Sequence, residues 1–151
     1  KIQRKGQVND WINIEMFEDF DSTTGRTKPK LIKDNGKVDK AWKLFHSRDF
    51  SSSANMVRQA AEKLCKHYLT NQEQLGGDYK PMKLDGLITK FIRKGTAAGL
   101  TAATLQDLMD YKDRIMNPSS HYVIEQPLFK NELRKAIETL DKLKTEVGYQ
   151  D

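Results

Sequence analysis

From Val38 to Val147 the apolar residues recur every three or four positions, a period that only an α-helix converts into one continuous face. Val38, Ala41, Trp42 and Phe45 open the pattern. Ser51-Ser52-Ser53 offers an N-cap for a second helix that carries Met56, Val57, Ala60, Ala61, Leu64 and Tyr68 and is expected to run to about Gln74, where Gly76-Gly77 stops it. Beyond the loop containing Pro81, Leu84, Leu87, Ile88, Phe91 and Ile92 make a third amphipathic segment, closed by Gly95 and Gly99. A fourth, over about 102–117, would bury Leu105, Leu108, Met109, Ile115 and Met116. The last, over about 128–147, spaces Phe129, Leu133, Ala136, Leu140, Leu143 and Val147 alternately four and three apart, as the seam of a bundle or a short coiled coil. Short connections between such helices predict an all-α fold: an antiparallel four- to five-helix bundle.

The first third breaks this pattern. Trp11 to Phe17 alternates well enough for a short strand, Asp21 to Gly25 reads as a turn, and Thr27-Lys28-Pro29-Lys30 and Asp34 to Lys37 read as loop. Residues 1–37 are therefore expected to form an irregular N-terminal arm or linker, and residues 38–151 the bundle domain. The chain begins at Lys1 without a methionine, and is read as a piece of a longer protein.

At 151 residues there is room for one well-packed domain and not comfortably for two. Charged residues make up 31% and the mean hydropathy is −0.74, but the periodic apolar segments exclude disorder throughout. The net charge of +5 is uneven: residues 51–100 hold 8 basic and 4 acidic side chains, while residues 101–151 hold 7 and 9. A basic middle third favours partners that carry phosphate, although a small excess also suits an ordinary solvated surface. The one cysteine, Cys65, cannot form an internal disulfide, which fits a reducing, cytoplasmic setting, and its place near Leu64 and Tyr68 reads as core. No apolar run approaches the roughly 20 residues that cross a bilayer, so no membrane partner is expected. There is no glycine-rich phosphate loop and no Cys/His metal spacing, and neither a cofactor nor a metal is assigned.

Chemistry concentrates at Tyr111 to Tyr122, where a helical pattern meets Pro118 and is followed by Ser119, Ser120 and His121. Proline at 118 biases Asn117 out of the helical region, so these residues should sit on a short connection beyond a helix end. His121 is the best proton shuttle in the chain, because imidazole both takes and gives a proton near neutral pH; a turn-capping histidine is the structural alternative. His46 and His67 are weaker candidates, His67 being expected to face solvent between Lys63 and Lys66. Arg58 and Glu62 are four residues apart on one helix surface. They form either an ordinary ion pair worth about 0.2–0.5 kcal/mol, or a carboxylate orienting a guanidinium that binds phosphate. Arg114 lies opposite its helix's apolar stripe, where it meets Asp110 in water or a second subunit. Asn117, Ser119 and Ser120 can fix the loop or bind phosphate, and Lys63 and Lys66 can hold a nucleic-acid backbone.

Together these residues resemble a family. Arg114 and His121, with six residues between them on a helical bundle, are similar to the Arg-x(4 to 6)-His signature of HEPN domains, metal-independent ribonucleases that commonly act as dimers. Arg58-x-x-x-Glu62 followed by His121 resembles the Arg/Glu/His set of bacterial anticodon nucleases, in which the nuclease part follows an ATPase domain. Asn117-Pro118-Ser119-Ser120-His121 looks like the Asn-Pro-x-Ser-His segment that ends many defence-ATPase chains. Over residues 38–148 the resemblance implies a HEPN-like endoribonuclease domain without cofactors, with RNA (tRNA being one candidate) as substrate, a homodimer, and an ATPase domain in the same chain or in a partner protein, in a phage-defence or toxin setting. It implies that His121 moves the proton while Arg58, held by Glu62, and Arg114 stabilise the phosphate. The alternative is a non-catalytic helical dimerisation or interaction module that uses the Phe129 to Val147 seam; a nucleotide-binding helical domain is a weaker third reading.

Overall fold

The structure is a computed structural model that describes residues 14–21, 26–33, 36–116 and 127–149. Its helices are α1 (Lys37–His46), α2 (Phe50–Tyr68), α3 (Leu84–Ala98), α4 (Ala102–Tyr111) and α5 (Pro127–Val147), with a π-helical turn, Lys112–Met116, continuing α4. The expected all-α bundle is therefore what the chain forms from Lys37 onward. Before it, β1 (Ile14–Asp21) and β2 (Arg26–Lys33) pair antiparallel, from Ile14 opposite Lys33 to Asp21 opposite Arg26. The strand expected over Trp11 to Phe17 is present from Ile14 and runs on to Asp21, Trp11 to Asn13 lying outside the described residues, and Thr27 to Lys30, expected as loop, lies inside β2. Pro29 misled the reading: in a two-stranded ladder each strand is an edge, and an edge tolerates a residue without an N–H.

Helix α2 is the centre of the bundle, in contact with α1, α3 and α5, while α4 packs on α3 and α5. Its buried stripe runs through Val57, Ala60, Ala61, Leu64 and Cys65. The small alanines let neighbouring helices approach, and Leu64 with Phe91 of α3 fills the space between. The α5 seam faces inward: Phe129, Leu133, Ala136, Leu140 and Leu143 are buried, Val147 is partly buried, and Ile137, outside the seam as read, is buried beside them. Burial pushes the Cys65 thiol up to about 12, in line with a packing role, and Glu62 adds to the effect. Met109, expected in the core, is only partly buried, and Thr104 takes an inward position on α4 instead.

Polar groups join the helices at a few points. Trp42 Nε1 donates to Asp141 Oδ2 at 2.7 Å, tying α1 to α5, and the buried Ser53 hydroxyl donates to the Ala41 carbonyl at 2.7 Å. Asp49, and not the serines at 51–53, caps α2, accepting from Ser52 N at 3.1 Å. That helix ends at Tyr68, short of Gln74, because residues 69–83 fold into a loop with its own hydrogen bonds. Gly99 ends α3 in the left-handed conformation at φ 83°. Gly95, in contrast, is buried inside α3, where a Cβ would come within 2.8 Å of Leu100. Its role is close approach to the neighbouring chain, not helix termination.

Candidate functional site

Three elements converge on a cleft of about 230 Å³: Arg58 from α2, Lys83, Leu84 and Asp85 from the start of α3, and Lys112, Asp113 and Met116 from the π-helical turn. Such turns are rare, and where they occur they often mark functional sites. Lys112 is only 14% exposed, with Nζ 2.7 Å from Asp85 Oδ1 and 3.9 Å from Asp113 Oδ1. The Asp85 hydrogen bond, against the opposing effect of burial, holds the Lys112 ammonium above its ordinary pKa, so it stays charged. Asp85 sits in the first turn of α3, where a carboxylate also complements the helix dipole. Three cations against two carboxylates leave the cleft cationic. Arg58 is exposed and has no carboxylate partner among the described residues, so its planar fork is available to an anion.

Several sequence expectations change here. Glu62 does not orient Arg58: its Oε1 lies 2.7 Å from Lys66 Nζ. The reason is directional, since an acid four residues before a base is the favoured order on a helix and Arg58 before Glu62 is the reverse. Lys66 is thus engaged with Glu62. At 100° per residue, Lys66 lies about 80° and Lys63 about 140° around α2 from Arg58, and neither lines the cleft. Arg114 meets neither Asp110 nor the cleft; its guanidinium donates to Glu132 Oε1 on α5 at 3.1 Å, while Asp110 accepts from Gln106. Asn117, Ser119, Ser120 and His121 lie outside the described residues. Met116, however, is a cleft residue, and His121 follows it by five positions.

Lys83, Asp85 and Lys112 were not singled out from the sequence. Lys112 lay within the Tyr111 to Tyr122 stretch, but its pairing with Asp85, 27 positions earlier, has no sequence signature. The other histidines have aromatic neighbours: His46 stacks on Trp42, with centroids 5.8 Å apart, and the exposed His67 lies 4.5 Å from the Tyr149 ring. No group of His, Cys, Asp and Glu among the described residues could hold a metal ion, and no helix among them is long and apolar enough to cross a membrane.

Comparison with family models, with curated proteins and with solved structures finds no match for this chain. Fold and site together define a small helical bundle with a cationic cleft where the second, third and fourth helices meet.

Proposed function

We propose that the bundle is a metal-independent endoribonuclease domain, HEPN-like in its chemistry, belonging to a larger ATPase-linked defence or toxin protein that acts on RNA, with tRNA as one candidate substrate. The observation that carries this reading is the placement of Arg58 in the same cleft as Met116, five residues ahead of His121. Five residues span at most about 18 Å, a length of chain that allows His121 to reach the Arg58 cleft.

In that arrangement His121 takes the proton from a ribose 2′-hydroxyl, and the 2′-oxygen attacks the adjacent phosphorus. The bond to the 5′-oxygen breaks, the His121 imidazolium returns the proton to the leaving oxygen, and a 2′,3′-cyclic phosphate remains. Arg58 stabilises the charge that builds on the phosphoryl oxygens, and Lys83 and the always-charged Lys112 raise the local potential. Proton transfer through a placed imidazole contributes about 10²- to 10⁴-fold. The alternative, a module that dimerises through the α5 seam, is weakened because those residues are buried in the protomer's own core. The test is incubation of the purified chain with RNA in EDTA. Cleavage that leaves 2′,3′-cyclic phosphate ends, and that stops in His121→Ala but persists in Lys63→Ala, is the expected result; intact RNA overturns the reading.

A further inference from the structure

Residues 69–83, between α2 and α3, form a long loop that is nonetheless held firmly. Gln74 Nε2 donates to the carbonyls of Lys66 and Leu69, and Lys90 Nζ on α3 donates to those of Glu73 and Leu75. Lys94 Nζ donates to the Tyr68 carbonyl and to Glu73 Oε1, and Leu75 bridges to Pro81. Loops of this length inside a compact domain are uncommon and usually functional. At its tip the chain turns back through Tyr79 N to Gly76 O and Gly76 N to Lys80 O. Tyr79 closes this turn at φ 59°, a left-handed position that normally falls to glycine. Its ring is 84% exposed, the one large apolar side chain so displayed among the described residues.

A strained backbone thus holds up an aromatic ring that packs on nothing described. Asp78 precedes it and turns its carboxylate onto the Lys80 backbone N–H at 3.1 Å, while the cations beyond are Lys80, which follows it directly, and Lys83, which lines the Arg58 cleft and comes four positions later, within about 14 Å. Neither lysine has a carboxylate partner among the described residues. Between residues 76 and 94 there are five basic side chains and two acidic ones. A flat, rigid π-face flanked by cations suits a polyanion that carries aromatic rings of its own, since bases stack on tyrosine while lysines track the phosphates.

We propose that Tyr79 is a stacking platform for one base of a single-stranded nucleic acid whose backbone runs past Lys80 and Lys83 into the Arg58 cleft. This rests on the nuclease reading for the polarity of the path, but not for the stacking itself.

Fluorescence anisotropy with a labelled single-stranded oligoribonucleotide tests it, using the parent chain, Tyr79→Phe, Tyr79→Ala and Tyr79→Gly, and the same oligonucleotide as DNA and as an abasic strand. Tyr79→Ala and Tyr79→Gly should weaken binding about 5- to 150-fold, from about 1–3 kcal/mol of stacking per base. Tyr79→Phe should bind as the parent does, and the abasic strand should not distinguish parent from Tyr79→Ala. DNA should share the dependence on Tyr79, since stacking ignores the 2′-hydroxyl. Tyr79→Ala binding as tightly as the parent, or Tyr79→Phe losing as much as Tyr79→Ala, overturns the proposal, as does the absence of strand binding. Binding that depends on Tyr79 in a chain that never cleaves RNA would overturn the nuclease reading and leave this one standing.

Discussion

Arg48 and Tyr79 are the two described residues other than glycine with positive φ, at 62° and 59°, and they have it for different reasons. Arg48 follows the last turn of α1, with its N–H donating to Phe45 O and that of Asp49 to Leu44 O; a left-handed residue there is how helices commonly stop. Arg48→Gly should therefore raise stability by about 0.5–1 kcal/mol in urea unfolding, because glycine adopts this region without the Cβ clash. Gly99→Ala should lower it by about 1 kcal/mol for the same reason in reverse, since nothing but φ 83° opposes the methyl group. Tyr79 ends no helix. Its strain is instead the kind found where a side chain must be presented. Glu73 is a further single-residue test. Hydrogen bonds from Lys94 and then Thr70 hold its carboxyl below the ordinary 4.5. A depressed carboxyl contributes stability that is present above its ordinary value and lost as pH falls through the folded one. Glu73→Gln should thus flatten part of the decline in Tm below pH 4.5, and an unchanged acid limb would contradict the Lys94 contact.

Among the elements, α1 is joined to the last helix by Trp42, whose indole donates to Asp141 across 99 positions of sequence. Trp42→Phe keeps most of the ring volume but strands a partly buried carboxylate without its donor. A loss of about 1.5–3 kcal/mol in chemical unfolding is expected, the range for a hydrogen bond to a charged group. The helices themselves were legible because each has one apolar stripe, and period alone located the starts of α1, α3, α4 and α5 to within a residue. What period could not supply was the partner of each polar side chain. Glu62 was assigned to Arg58 by spacing, and the structure gives it to Lys66 on the same helix, where the direction of the pair decides. Arg114 was left to Asp110 or a second subunit and reaches Glu132 on α5, because packing between helices decides that partner. The end of α2 was misjudged because Leu69 is buried and continues the apolar pattern, although the chain has by then left the helix. The strand pairing of Arg26–Lys33 was hidden by Pro29.

At the scale of the molecule, the bundle spends its apolar faces on one core and leaves its cations on the surface around α2, α3 and the turn after α4. From the basic middle third of the sequence, Arg58 and Lys83 reach the cleft that Met116 also lines. The proposed nuclease chemistry requires Arg58 and His121, 63 positions apart, to act on one phosphate. A double-mutant cycle on RNA cleavage in EDTA measures this most directly. Arg58→Ala and His121→Ala should each slow single-turnover cleavage by about 10²-fold or more, the usual cost of removing a charge stabiliser or a proton shuttle. Groups that act as a unit are strongly non-additive, so the double variant should be no slower than the worse single one. Losses that multiply, or an Arg58→Ala chain that cleaves at the parent rate, would contradict it.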